Sequence, residues 1–179
     1  INGAAAWLLQ PDPTTRHFCL GQCSTSGTEK EINAYRSELQ GIHAILLAIT
    51  VICQVYQITD GKVTLACDND TAVDHTNDRR LEAPPSVAHA DLVRAIRRLK
   101  HELPITIVMN RVDGHKDRPL DFEELSPHEQ LNTLADYDAK EYLQQALTAN
   151  AAYGRLRNVP DHIHGEGIRC IIGGVKVTG

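Results

Sequence analysis

Apolar and polar positions along this chain recur with two different periods, and the switches between them mark out its elements. Ala4 to Gln10 and Arg16 to Cys23 read as short strands, and Pro11-Asp12-Pro13-Thr14 between them has the chemistry of a hairpin turn. After a polar stretch, Ser24 to Thr28, the segment Thr28-Glu29-Lys30-Glu31 has capping-box spacing. Tyr35, Leu39, Ile42, Ile45, Leu46, Ile49, Ile52 and Cys53 then recur at steps of three and four. That spacing predicts a long helix ending before the turn pair Asp60-Gly61. Lys62 to Cys67 alternates like a strand, and Asp68-Asn69-Asp70 at its end offers caps for a short helix through Val73.

The loop from Asn77 to Ser86 contains Arg79, Arg80 and Pro84-Pro85, and Val87 to Glu102 has helical spacing with Leu92, Ala95, Ile96, Leu99 and Leu103 facing inward. Ile105 to Met109 reads as a strand, and Asp113 to Pro127 as an irregular, charged loop. Ser126-Pro127, with Glu129 three positions after the serine, opens a last helix to about Leu147. A linker follows, then the apolar runs Ile168–Ile172 and Val175–Val177 around the hairpin signal Gly173-Gly174. The order β-β-α-β-α-α-β-α predicts an α/β fold, a mixed sheet flanked by helices. Residues 1–148 would form this domain and residues 149–179 a linker with a short β-hairpin tail.

Composition narrows the class of protein. With 42% hydrophobic and 23% charged residues over 179 positions, the chain suits one globular domain that needs neither disulfide nor metal to fold. A net charge of −5 argues against gripping nucleic acid over the whole surface and leaves room for an acidic site that binds cations. Five scattered cysteines, an odd number, point to reduced thiols and an intracellular location, in cytoplasm or nucleus. The longest apolar run, Ile42 to Val55, is interrupted by His43, Thr50 and Gln54, so neither a membrane span nor a membrane partner is expected. Ile1-Asn2-Gly3 lacks an initiator methionine and the basic start of a signal peptide, and it opens in strand-like sequence, which reads as a fragment.

Three acidic residues stand out by position. Glu38 sits on the first helix between Tyr35 and Ile42, Asp68 ends a buried strand where side chains project into a ligand crevice, and Asp136 follows the apolar Leu131 and Leu134. Each taken alone is most simply a cap or a solvated helix residue. Together, without a neighbouring Lys or Arg in sequence, they suggest an all-oxygen site for Mg²⁺ or Mn²⁺. Arg94, Arg97, Arg98 and His101 form a basic helix face, which is either solvated or in contact with phosphates. His17, Cys19 and Cys23 lack the second pair a zinc site needs, and His162 and His164 lie in the irregular tail.

Four local wordings resemble the ribonuclease H family in order and placement. They are Tyr35-Arg36-Ser37-Glu38-Leu39 on a helix, Leu65-Ala66-Cys67-Asp68-Asn69 at a strand end, Val112-Asp113-Gly114-His115 in a loop, and Leu131-Asn132-Thr133-Leu134-Ala135-Asp136 on the last helix. The loop and the last helix look most like the ribonuclease H domains of retrotransposon-type reverse transcriptase polyproteins, and the resemblance covers roughly residues 3 to 145. It implies an RNase H-like mixed sheet, an endonuclease acting on the RNA strand of RNA–DNA hybrids, and the rest of a reverse transcriptase polyprotein as partner. It implies two Mg²⁺ ions, replaceable by Mn²⁺, held by Glu38, Asp68 and Asp136, with Asp68 and Asp136 on the nucleophile side and Glu38 on the leaving-group side. His115 would move protons or assist product release, and Asn69, Arg94, Arg97 and Arg98 are weaker candidates for contacting the hybrid.

The chain departs from the family pattern in two places. Asn2-Gly3-Ala4-Ala5-Ala6-Trp7 matches the family's second strand, so the first strand and its catalytic aspartate have no counterpart, and Asp12, in the following turn, is a poor substitute. Twenty-one residues separate His115 from Asp136, a longer spacing than the family uses. The fragment is therefore expected to cut hybrids poorly unless about ten to fifteen upstream residues restore the strand. The alternative readings are a catalytically silent RNase H-like module that binds nucleic acid or supports a neighbouring polymerase domain, and a different nuclease or integrase on the same fold.

Overall fold

The computed structural model describes residues 3–11, 18–114, 120–153, 170–172 and 175–177. Its elements are β1 (Ala4–Leu9), β2 (Cys19–Ser24), α1 (Ala34–Val55), β3 (Lys62–Cys67), α2 (Asp70–Asn77), α3 (Ala90–Glu102), β4 (Thr106–Arg111), a 3₁₀ turn (Phe122–Glu124), α4 (Pro127–Tyr153), β5 (Cys170–Ile172) and β6 (Val175–Val177). The mixed α/β character and the element order agree with the sequence pattern. Among the described residues the single sheet does not appear. The described strands form three separate two-stranded ladders: β1–β2 antiparallel, β3–β4 parallel and β5–β6 antiparallel. The parallel ladder is possible because α2 and α3 make the long crossover that two parallel strands require. The final helix runs past the expected domain end at residue 148, and Gly173-Gly174 lies outside the described residues.

Contacts divide the chain into two compact units, 1–41 with 134–179, and 42–133, so that α1 and α4 each contribute to both. In the first unit β1, apolar at every position, nevertheless alternates in burial, with Ala5 and Trp7 inside. Trp7 pairs in register with Gly21, and a Cβ at Gly21 would collide with the indole ring. That glycine is what lets a ring of this size lie flat over the neighbouring strand. Thr25, 2% exposed, extends the ladder by donating its N–H to the Gly3 carbonyl at 3.0 Å, and its hydroxyl meets the Ser37 hydroxyl at 2.7 Å. The α4 part of this unit is joined to β2 by Gln22 Nε2, which donates to the Asp138 carbonyl at 3.2 Å.

Thr28 and Glu31 do meet as the capping-box spacing suggests, with Glu31 Oε2 accepting from both the N–H and the hydroxyl of Thr28 at 2.8 Å. They close a turn, however, not the start of a helix. Helix α1 starts at Ala34, where Asn33 Oδ1 accepts the Arg36 N–H at 2.8 Å, the arrangement of a helix N-cap. Arg36 is buried rather than exposed, and its Nε donates to the Ser26 carbonyl across Gly27, which has φ 130°.

In the second unit the apolar stripe of α1 (Ile42, Ile45, Leu46, Ile49, Cys53) is buried as the three- and four-residue steps predict. By length and composition alone Ala34–Tyr56 is long and apolar enough to cross a membrane, a test that the core helix of a soluble protein also passes, and 44% of its apolar window is buried in the protein. Leu65, Cys67 and Met109 on the β3–β4 ladder, Val73 on α2, and Val93 and Ile96 on α3 make up the rest of this core. Helix α3 begins three residues later than its pattern suggests, because His89 at its N-cap position has φ 55°, in the left-handed region. Val93 and Arg97 join its buried stripe.

A candidate metal site around Asp68

Strand β3 delivers Asp68 to the C-terminal end of the parallel ladder, where strands in open α/β sheets present ligand-binding side chains. The ladder continues one step past β4, with the Val112 N–H donating to the Cys67 carbonyl at 3.1 Å, so the chain beyond β4 passes directly beside Asp68. Gly114 is the consequence. A Cβ there would stand 2.6 Å from Asp68 Oδ2, closer than real Cβ atoms approach, so only glycine lets this turn lie against the carboxylate.

The third side of Asp68 belongs to α4. Ser126 and Glu129 form the expected capping box, with the Ser126 hydroxyl donating to Glu129 Oε2 at 2.6 Å and the Ser126 N–H donating to the same oxygen at 2.9 Å. The helix is thereby started so that Asn132, in its second turn, donates from Nδ2 to Asp68 Oδ2 at 3.3 Å. Asp68 is half-buried. One of its oxygens is thus engaged by a neutral amide donor.

Asn69, expected to touch nucleic acid, has a structural task. Its Oδ1 accepts the Ala72 N–H at 3.0 Å and caps α2, and its own N–H points at Cys67 Sγ at 3.4 Å. Glu38 belongs to the other compact unit, and the donors that the 42–133 unit itself brings to this place are Asp68 and, one residue before it, Cys67. The Asp68 carboxylate is a hard oxygen donor of the kind Mg²⁺ and Mn²⁺ prefer, whereas the buried Cys67 thiol is a soft donor suited to other metals. Asp68 therefore suits a hard divalent cation, which gains nothing from Cys67. That thiol was not singled out from the sequence as a ligand. Its position one residue before Asp68, in an otherwise apolar strand, was the available signal.

Asp136 lies one helical turn beyond Asn132 on α4, in the part of that helix that belongs to the other unit, and pairs with Lys140 at 3.2 Å. His115 lies outside the described residues, as do His17, His162 and His164.

The expected basic face of α3 is largely consumed within the fold. Arg97, 4% exposed, donates from Nε to the His75 carbonyl at 2.8 Å and from Nη1 to the Arg80 and Glu82 carbonyls at 3.0 and 2.7 Å, while its Nη2 lies 3.3 Å from Asp78. Arg94 donates to the Ala83 carbonyl at 3.1 Å, and the exposed Arg98 pairs with Glu82 at 2.8 Å. The three arginines hold the 75–83 segment, and Arg97 is removed from any surface that could meet a phosphate backbone. On β2, burial pushes the Cys23 thiol up to about 11, which makes it a poor thiolate donor for zinc.

No family model matches the sequence, and neither a curated protein nor a solved structure is found to be similar to it.

Proposed function

We propose that this chain is an RNase H-type nuclease module whose working centre is Asp68, acting with a divalent cation on the RNA strand of an RNA–DNA hybrid within a retroelement polyprotein. The observation that supports this reading is the convergence of three of the four family-like wordings on one carboxylate. Leu65-Ala66-Cys67-Asp68-Asn69 supplies the carboxylate, Val112-Asp113-Gly114 supplies the glycine that packs on it, and Leu131-Asn132-Thr133 supplies the amide that bonds to it. These segments lie 43 and 17 positions apart along the chain, and their meeting follows from no local pattern. The fourth wording holds Glu38, the second carboxylate that the resemblance implies.

Mg²⁺, when bound, would supply Lewis acidity and a water of lowered pKa. Asp68 would hold it, with Glu38 as the further ligand that the resemblance implies. Asn132 fixes which way the Asp68 carboxylate faces, so that one oxygen is tied and the other is left for the cation. Gly114 keeps the approach to that carboxylate free of side-chain bulk.

One observation favours the silent-module reading: the third expected carboxylate, Asp136, is paired with Lys140. A labelled RNA–DNA hybrid incubated with the chain in Mg²⁺ or Mn²⁺ separates the two. Metal-dependent cutting of the RNA strand, however slow, that disappears in Asp68→Asn supports the nuclease. Hybrid binding without cutting supports the silent module. Cutting that survives Asp68→Asn removes Asp68 from the chemistry.

A further inference from the structure

The α2–α3 side of the 42–133 unit holds a cationic cleft that takes no part in the Asp68 site. It encloses about 300 Å³, and Asn77, Asp78, Arg79, Arg97, Lys100 and His101 are among its lining residues. Lys100 Nζ is bonded only to neutral oxygens among the described residues, the Thr76 carbonyl at 2.8 Å and Asn77 Oδ1 at 3.3 Å. Arg79 is exposed on the loop opposite. The acid among the lining residues, Asp78, is already held by Arg80 Nη2 at 2.6 Å and by Arg97 Nη2 at 3.3 Å. Arg79, Arg97 and Lys100 therefore face the cleft against a carboxylate whose charge is spent.

That surplus has a cost. Burial and the neighbouring Arg97 charge both push the Lys100 ammonium below its ordinary pKa, the response of a cation short of a counter-charge. A buried guanidinium whose N–H groups are committed to the His75, Arg80 and Glu82 carbonyls still adds its field to the cleft. We propose that this cleft binds a phosphate-class anion, with Lys100 and Arg79 as its direct ligands and Arg97 as a fixed source of positive potential. Phosphate suits it better than a simple carboxylate because it brings more negative charge and more acceptor oxygens to a cleft with several cations. The inference is independent of the reading of Asp68.

The test is a ¹H–¹⁵N titration of the 179-residue chain with sodium phosphate, referenced to sodium chloride at equal ionic strength. Shifts should saturate at residues 76–81 and 97–101, and affinity should fall by about tenfold or more in Lys100→Gln and in Arg79→Gln, a difference of roughly 1.4 kcal/mol or above. Arg79 is exposed, so its variant should keep the fold even if that of Lys100 does not, and Lys62→Gln, on β3, should bind like the wild type. Shifts no larger than chloride produces, or equal shifts in the Arg79 variant, overturn the proposal. A second arm adds a short RNA–DNA hybrid. Perturbation of the same residues, reversed by phosphate, identifies the anion as a backbone phosphodiester. Phosphate shifts with no hybrid effect identify it as a free phosphate group. Either result supports the site.

Discussion

Arg97 is where a sequence expectation and the structure differ most, and replacing it gives a sharp test. Arg97→Met keeps most of the buried stem and deletes the guanidinium, leaving the carbonyls of His75, Arg80 and Glu82 without the donor they share. A hydrogen bond from a charged donor contributes about 1.5–3 kcal/mol, but these acceptors sit on the last turn of α2 and the loop after it, where water can reach after the change, so about 1 kcal/mol each is the better scale. Asp78 keeps Arg80, so the lost ion pair adds little. The sum is about 3–4 kcal/mol, a large fraction of the ~5–15 kcal/mol that holds an ordinary domain together. Arg98→Gln, by contrast, removes only an exposed pair with Glu82 and should cost about 0–1 kcal/mol. Arg97→Lys should fall between, since a point charge on a shorter reach cannot serve three carbonyls. Urea unfolding followed by circular dichroism would read these as shifts of midpoint at constant slope. If Arg97→Met and Arg98→Gln cost the same, within about 0.5 kcal/mol, the guanidinium does not hold the loop and the reasoning fails.

Three other outcomes follow from particular contacts. Gly21→Ala should destabilise by about 1–3 kcal/mol and shift the emission of Trp7, the sole tryptophan, because the new methyl group collides with the indole; an unchanged spectrum would contradict the packing. Gly114→Ala should force the Asp68 carboxylate to turn, so the Asn132 side-chain amide resonance should move toward its solvent-exposed position, and an unmoved resonance would mean the turn yields instead. Burial holds the half-buried His43 imidazole below its usual 6.5, so the unfolded chain binds the proton more readily than the folded one. Stability should therefore be unaffected by this group above pH 6.5 and decline as pH falls through 6.5 toward the folded value, and His43→Gln should flatten that part of the profile.

What the sequence revealed was local, and what it concealed was long-range. KVTLAC alternates and is followed by a strong cap, so β3 and the start of α2 were legible. Ser126 and Glu129 announced α4 for the same reason. Thr28 and Glu31 carry the same spacing and make the same hydrogen bonds, yet they close a turn, because Asn33 is a better placed cap five residues later. Helical spacing classed Arg97 by its charge and so put it outside, although its carbonyl partners are 15 to 22 residues earlier in the chain, beyond the reach of any periodicity. The Asn132–Asp68 bond spans 64 residues and was likewise invisible as a contact, even though both residues stood inside wordings that drew attention. The expectation of one mixed sheet rested on element order, which says which strands exist and not which ladders they form.

The central claim is that Asp68, set between Gly114 and Asn132, binds a hard divalent cation. Mn²⁺ added in substoichiometric amounts to ¹⁵N-labelled chain broadens amides within reach of the ion and leaves distant ones sharp. The account predicts selective loss of the Asp68, Asn69, Gly114 and Asn132 signals, competed away by Mg²⁺ and absent in Asp68→Asn. Broadening spread over the exposed acidic residues, or retained at Gly114 and Asn132 in Asp68→Asn, would contradict it.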